Sequence, residues 1–325
     1  MTITKFYHIK TFFKKEYMNK KDYIIMRIYG GMGNQLWQYS FGRSLSIKYN
    51  KKLVLDVSFF NNPLVDLPTG GLFKFELNKF NLDKDVLIEK NLYNHSYKFF
   101  KYFLRFLPNK FINFFFNNRK KYKIDNFIFE ETIFKKKKID KSLKKQDKSF
   151  YFLGYWQNKE YFKDYYEVIK NDFRPKMIKK KVFSFIKNIK KNNIAIHIRG
   201  GDIEIEKNYS APGFEYYFRI IKFLKKKNKL LNFHIFTDDV KYTKIFLRKI
   251  KLKNYVIVSS KYNFSDVEEF YIMQHYKNFI INRSTFSWWS GYLSNKNKTT
   301  IFAPKTWNNN FDLPRSLKLN NMKLF

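Results

Sequence analysis

The residues best suited to chemistry lie in one short stretch, Ile194-Ala-Ile-His-Ile-Arg-Gly-Gly-Asp202. Apolar residues alternate along it, so it reads as a strand. Period-two alternation puts His197 and Arg199 on one face. Gly200 and Gly201 then let the backbone turn sharply and come close to a ligand, and Asp202 follows at once. A permanently charged guanidinium at the carboxyl end of a strand, beside two glycines, suits a phosphate or a carboxylate. A surface Arg that pairs with Asp202 to close a turn fits the same residues.

Other segments carry related chemistry. Phe233 to Asp239 ends a strand in two carboxylates, Asp238 and Asp239. Adjacent carboxylates point apart and make a poor metal pair. One can instead accept N–H bonds from a guanine edge while the other caps the next helix. Ser284-Thr-Phe-Ser-Trp-Trp289 opens a helix with the hydroxyls of Ser284, Thr285 and Ser287. Hydroxyls and free N–H groups at a helix start form an anion site; a doubled N-cap above a buried Trp pair fits equally. Near the N-terminus, Ile24 to Tyr29 runs into Gly30-Gly-Met-Gly-Asn-Gln35 and then a helix with Trp37, Phe41 and Leu45 on one face. That layout aims N–H groups at an anion, although its spacing is neither a Walker loop nor a dinucleotide fingerprint. Asp202, Glu204 and Glu206 alternate along one face and offer a general base, or else balance nearby Lys residues. Arg199, Asp238 and Arg283–Thr285 end three strands of the second half. Together they suggest a nucleoside-diphosphate pocket that works through Arg and helix dipoles rather than a metal.

The elements that position these groups follow from periodicity. Strands are expected at 24–29, 53–56, 150–156, 194–199, 232–237, 255–258, 279–282 and 299–303. Helices are expected after Gln35 and near 158–171, 177–191, 213–228, 239–250, 265–277 and 285–294, with a capping box at Ser265 and Glu268. Alternating βα units imply parallel sheets covered by helices. Residues 1–22 read as a basic extension, 23–175 as an N-terminal domain and 176–325 as a C-terminal domain, divided near Pro175, which stops a helix. Residues 57–149 are hard to read. Tyr97 to Phe116 is either an amphipathic surface stretch or an ordinary helical hairpin, and Lys135 to Lys138 is a solvated charge run.

Hydrophobic residues make up 44% and aromatics 21% of the 325 residues, enough for a sizeable core. There is no cysteine, which excludes disulfides and thiolate metal sites and fits a reducing, cytoplasmic compartment. No run is long and apolar enough to span a bilayer. Sixty-five basic against 27 acidic residues give a net charge of +38. Such a field attracts polyanions, anionic membranes and phosphorylated substrates. The abundance of Lys, Asn, Ile, Phe and Tyr is also what AT-rich coding produces. No nucleic-acid-binding signature is present, so nucleic acid is not expected as a partner.

Four stretches resemble glycosyltransferase family 11, the α-1,2-fucosyltransferases. Gly30-Gly-Met-Gly-Asn-Gln-Leu-Trp-Gln-Tyr39 resembles the family's GGxGNQ segment, and Gly154-Tyr-Trp-Gln157 its GYWQ segment. His197-Ile-Arg-Gly-Gly-Asp202 resembles HxRRGD, and Ser284 to Trp289 resembles STFSWW. Phe236 to Asp239 and Ala303 to Trp307 also match, and the likeness runs from about Ile24 to Trp307. The resemblance implies an α/β, GT-B-like fold with two Rossmann-like domains facing a cleft, the N-terminal one on the acceptor side. It implies GDP-β-L-fucose as donor, a galactose-terminated or lipid-linked glycan as acceptor, inversion to an α-1,2 linkage in surface polysaccharide synthesis, and no cofactor or metal. A lipid-linked acceptor would bring peripheral contact with an anionic membrane. On this likeness Arg199 neutralises the β-phosphate. His197, Gly201, Ser284, Thr285, Phe286 and Ser287 line the diphosphate, and Asp238 reads guanine. Gly31, Gly33, Asn34 and Gln35 face the donor, with Asn34 and Asp202 near the reacting groups. Two positions depart from the family pattern: Gly200 stands where a second Arg is usual, and Arg283 where Asn is frequent.

Overall fold

The computed structural model describes residues 22–61, 73–92, 124–130, 134–135, 137, 141–144, 148–200, 212–294, 297–308 and 311–325. The basic extension up to Lys21, the Tyr97–Phe116 stretch, and Gly201, Asp202, Glu204 and Glu206 lie outside them.

Eleven strands are named among the described residues: β1 (Tyr23–Arg27), β2 (Lys52–Asp56), β3 (Leu87–Glu89), β4 (Ile124–Phe129), β5 (Ser149–Leu153), β6 (Asn193–Ile198), β7 (Asn232–Thr237), β8 (Tyr255–Ile257), β9 (Asn278–Ile280), β10 (Thr300–Ala303) and β11 (Met322–Leu324). The α-helices are α1 (Met32–Tyr49), α2 (Tyr166–Asp172), α3 (Lys180–Lys187), α4 (Phe214–Lys227), α5 (Val240–Lys249), α6 (Val258–Lys261), α7 (Asp266–Met273) and α8 (Thr285–Leu293). The expected α/β class and its parallel pairing are present. One sheet runs β3-β2-β1-β5-β4 and the other β11-β10-β9-β6-β7-β8, and every strand pair is parallel.

The described residues fall into two compact units. The first takes its residues from Met1–Tyr29, Gln38–Leu67 and Asp83–Trp156, the second from Gly30–Trp37, Pro68–Leu82 and Gln157–Phe325. The chain thus enters the second unit for good at Gln157, earlier than Pro175. Packing explains this: Phe162 stacks on Trp289 with centroids 5.4 Å apart, and Tyr166 meets Tyr292 edge-on. The continuous helix expected over 158–171 is instead two 3-10 turns followed by α2. The Asn158 side chain accepts from the Glu160 N–H, starting a tight turn in place of an α-helix.

In the first unit Asp56 sits buried at the end of β2. It accepts from Tyr151 Oη (2.6 Å) and the Ser58 N–H (3.0 Å), with Arg27 3.6 Å away. Glu130 accepts the N–H groups of Tyr155 (2.7 Å) and Trp156 (3.0 Å), which fixes the turn after β5. A Cβ on Gly154 would come within 2.4 Å of that of Glu130, so only glycine fits there. Trp156 then stacks on Phe41.

In the second unit Ile194, Ile196 and Ile198 join Phe233, Ile235 and the inner faces of α4 and α5 in one apolar cluster. These three alternate residues of β6 bury one face of the strand, so the residues between them point to the other.

Candidate functional site

The second sheet changes winding direction between β6 and β9. From β6 the chain moves outward through β7 and β8, then returns on the other side of β6. In open parallel sheets the ligand crevice lies beyond the carboxyl ends of the strands at this switch. Two segments lie there: His197–Gly200 at the end of β6, and Ile281–Thr285 from the end of β9 to the start of α8.

His197 and Arg199 share a face, as their spacing predicts. His197 is 6% exposed, with its ring 5.4 Å from that of Phe286. Burial pushes the imidazole down to about 4; Arg199 adds to the fall and Asp238 opposes it. The ring is therefore neutral at pH 7. By distance and angle His197 Nδ1, both amide atoms of Asn282, and Ser284 Oγ are all buried without a well-formed hydrogen bond, although Asn282 stands close enough to His197 and Tyr217 to favour the charged form of each. An unpaired buried polar group costs about 1–3 kcal/mol, and few are tolerated without a purpose. Ser284 precedes α8 but makes no capping bond with its side chain. The N-terminal N–H groups of α8 are thus left uncapped by Ser284 and suited to an anion.

Arg199 Nε lies 4.0 Å from Asp238 Oδ2, while Asp238 Oδ1 accepts the Gly200 N–H at 2.8 Å. Asp238 thereby holds the turn after β6, and Asp239 caps α5 by accepting the Tyr242 N–H at 2.9 Å. A Cβ on Gly200 would lie 2.6 Å from Tyr242 Cδ1 and 3.0 Å from Asp239 Cβ. Tyr242 fills the space in which a second Arg would begin. Arg283 donates from Nε to the Thr306 carbonyl (3.2 Å) and from Nη2 to Thr306 Oγ1. Burial lowers its pKa.

The start of α1 belongs to this unit. A Cβ on Gly33 would lie 2.6 Å from the backbone of both Thr285 and Phe286, so the glycine permits a backbone approach no other residue allows. Trp37 packs on Trp288 and Trp289, with centroids 4.3 and 5.0 Å away. Asn34 Oδ1 accepts from Gln157 Nε2 at 2.9 Å. Gly31 stands against the Phe73 ring.

Two residues expected at the donor, Gln35 and Ser287, make hydrogen bonds within the fold. Gln35 is fully buried. Its Nε2 donates to the carbonyls of Gly30 (2.8 Å) and Lys74 (2.7 Å), and its Oε1 accepts the Glu76 N–H (2.8 Å). With the amide spent on backbone, Gln35 anchors residues 74–76. Ser287 is likewise buried, and its Oγ donates to the Ser284 carbonyl at 3.2 Å. Thr285 and Phe286 are half-buried at the helix start.

Three residues escaped the sequence reading. Asn282 follows an apolar strand directly before Arg283, and its polarity at a strand end was the available signal. Gln157 lies inside the GYWQ segment. Glu269 gave no signal. Its Oε2 accepts from Ser259 Oγ (2.9 Å), whose oxygen accepts the Thr237 N–H (2.9 Å) at the end of β7. Burial raises the Glu269 carboxyl to about 8, against the Ser259 hydrogen bond. Among the described residues no group of three or more His, Asp or Glu side chains converges as a metal site. No helix among them is long and apolar enough to cross a membrane.

The profile of Glycosyl transferase family 11 matches residues 70–321. The α-1,2-colitosyltransferase of Escherichia coli is 30% identical over 291 residues, covering 87% of this chain and 92% of that protein. The O-antigen biosynthesis glycosyltransferase WbnK of Escherichia coli is 26% identical over 297 residues, covering 86% and 92%. The solved structure of the NodZ α-1,6-fucosyltransferase soaked with GDP-fucose is 12% identical, with a TM-score of 0.43, and covers 85% of this chain and 93% of that one. With the profile spanning well over half of its length, the chain belongs to glycosyl transferase family 11.

Proposed function

We propose that this glycosyltransferase moves L-fucose from GDP-β-L-fucose to a galactose hydroxyl, with inversion to an α-1,2 linkage, in the synthesis of a surface glycan such as O-antigen. The observation that carries this reading is the switch point of the second sheet. There a guanidinium, a helix start left uncapped by its Ser, and the buried polar atoms of His197, Asn282 and Ser284 that lack a well-formed hydrogen bond are set for an anionic, hydrogen-bonding ligand.

In the transfer, a galactose oxygen attacks the fucose C1. The bond from C1 to the β-phosphate oxygen breaks, and GDP departs with the electron pair. Arg199 and the α8 N-terminus stabilise the charge growing on that oxygen, and Arg283 adds positive charge at the same edge. Neutral His197 and Ser284 donate hydrogen bonds to the diphosphate, with Gly201, Thr285 and Phe286 beside it. Gly31 and Gly33 let the start of α1 approach the donor. Asn34, held by Gln157, orients the reacting hydroxyl, whose proton goes to Asp202. Asp238 holds the turn after β6 with Oδ1 and keeps Oδ2 for the guanine N–H edge, which Glu269, linked through Ser259 to the end of β7, shares on giving up its proton. The second unit binds the donor and the first the acceptor, a galactose-terminated glycan, free or lipid-linked. No metal is needed.

The 30% identical relative named α-1,2-colitosyltransferase favours a second donor, GDP-colitose, whose sugar is fucose without its 3-hydroxyl. The test is turnover of GDP-fucose and GDP-colitose with lactose or N-acetyllactosamine in EDTA, comparing wild type with Arg199→Ala and Glu269→Gln. Product from wild type, lost in Arg199→Ala and with weaker preference for guanine over adenine in Glu269→Gln, is the expected result. Faster transfer of colitose selects the second donor. Absence of both GDP-sugar binding and turnover overturns the reading.

A further inference from the structure

We propose that the amino edge of the second sheet is a docking surface for an anionic lipid bilayer. In a parallel sheet every helix-to-strand loop returns to the same edge. Here the described parts of those loops are 188–192, 228–231, 250–254, 274–277, 294 and 297–299. They carry Lys190, Lys191, Lys229, Lys251, Lys253 and Lys277, all exposed, and not one Asp or Glu. The last turns of α3, α4 and α5, which lead into them, hold only basic charges. Helix dipoles account for cations in a last turn but not for those in the loops beyond. Codon bias does not account for the pattern either, because the chain has one acidic residue to fewer than three basic. A bias acting everywhere would leave acids here too. At the opposite edge of the same sheet two acids, Asp238 and Asp239, follow β7, and Glu268 stands beside Lys179 just before α3.

Two further features point to a bilayer rather than to a dissolved polyanion. Leu230 is 78% exposed in the loop before β7. That loop is held in shape by the Asn228 side chain on the Leu230 N–H (2.9 Å) and by Asn192 on its carbonyl (2.8 Å), so an apolar side chain is fixed outward among lysines. A pocket of about 710 Å³ opens at this edge between α3 and the starts of β6, β7 and β8. Lys181, Lys190, Asn188, Asn232, Asn254 and Tyr262 line it, and no lining residue is acidic. Lys181 is bonded to the carbonyls of Tyr262 and Asn263, and Asn188 to that of Ser184, so they shape the pocket, while Lys190, Asn232 and Asn254 supply donors suited to a phosphodiester headgroup. A ring of lysines around an inserted Leu is how a protein lies on an anionic leaflet.

The biological sense of this surface rests on the lipid-linked acceptor proposed above, but vesicle binding and sugar transfer are read separately. The full chain is sedimented with phosphatidylcholine vesicles, with and without phosphatidylglycerol. One variant carries Lys190→Glu, Lys229→Glu, Lys251→Glu and Lys253→Glu; a control carries Lys52→Glu, Lys84→Glu, Lys90→Glu and Lys176→Glu, the same charge change elsewhere. Wild type is expected to bind only vesicles with phosphatidylglycerol. The first variant should lose roughly a hundredfold or more in affinity and the control only a small part of that. Leu230→Ser should weaken binding without changing its salt dependence. Equal loss in both variants, no binding by wild type, or binding to polynucleotide in place of vesicles overturns the proposal. Thermal melts check folding, and Lys→Gln versions of both sets replace any that fails to fold. Turnover of a soluble acceptor should be unchanged in the first variant. Loss of transfer with vesicle binding intact would count against the donor reading alone.

Discussion

His197 is the residue whose environment is most at odds with its chemistry. It is an imidazole buried to 6% exposure whose Nδ1 lacks a well-formed hydrogen bond. Its folded pKa of about 4 lies below the ordinary 6.5. Between those values the unfolded chain takes up a proton that the folded chain refuses. Through His197, stability is therefore unaffected above pH 6.5 and falls as pH drops toward 4, by on the order of 3 kcal/mol at most, while Glu269, raised to about 8, acts in the opposite sense as pH falls. Between pH 7.5 and 5 the urea midpoint of His197→Asn should fall less, or rise more, than that of wild type, because His234, His275 and Glu269 act alike in both proteins and cancel in the difference. A slope unchanged by the substitution would mean the ring is not held neutral by burial. The face shared by His197 and Arg199 was readable from alternation alone. What alternation could not show is that Asp238 Oδ1 would be taken by the Gly200 N–H, or that Gln35 would be spent on backbone carbonyls. Both depend on partners distant in sequence.

At the scale of elements, the second half of the chain was legible because its strands and helices alternate with strong periodicity. β7 falls where expected, and α4, α5 and α8 fall within a residue at each end. β3, β4 and β11 were missed. The first two lie in lysine-rich sequence without clear alternation, and β11 has only three residues, too few for a period to register. The departure at Gly200 has an element-level cause that sequence could not supply: Tyr242, in the first turn of α5, occupies the space beside it. Gly200→Arg alone should destabilise the protein by about 1–3 kcal/mol through overpacking. Combined with Tyr242→Ala, which clears the space, the same Arg should be accommodated and should tighten GDP binding. Calorimetry on the single and double variants checks this. Equal destabilisation in both would show that Tyr242 is not the obstacle.

For the whole molecule the dominant quantity is charge. Twenty-seven acidic residues can neutralise at most 27 of the 65 basic ones, which leaves +38 uncompensated however the surface is paired. Exposed ion pairs contribute only about 0–1 kcal/mol each, and several seen here join neighbouring residues, as in Lys163 with Glu160. Salt weakens such pairs, but it also screens repulsion among the much larger excess of lysines, and self-repulsion opposes the compact state. The excess decides the sign. Raising ionic strength from about 0.02 to 0.2 M, which shortens the screening length to below about 10 Å, should raise the melting temperature, whereas most of the ion pairs taken alone would predict a fall. An uncharged osmolyte at matched osmolality separates screening from surface exclusion. If the melting temperature falls with salt, attractive pairs outweigh the net field. The excess charge would then be distributed so that its repulsion is already relieved in the folded state, as it would be if the lysines stood far apart on separate faces.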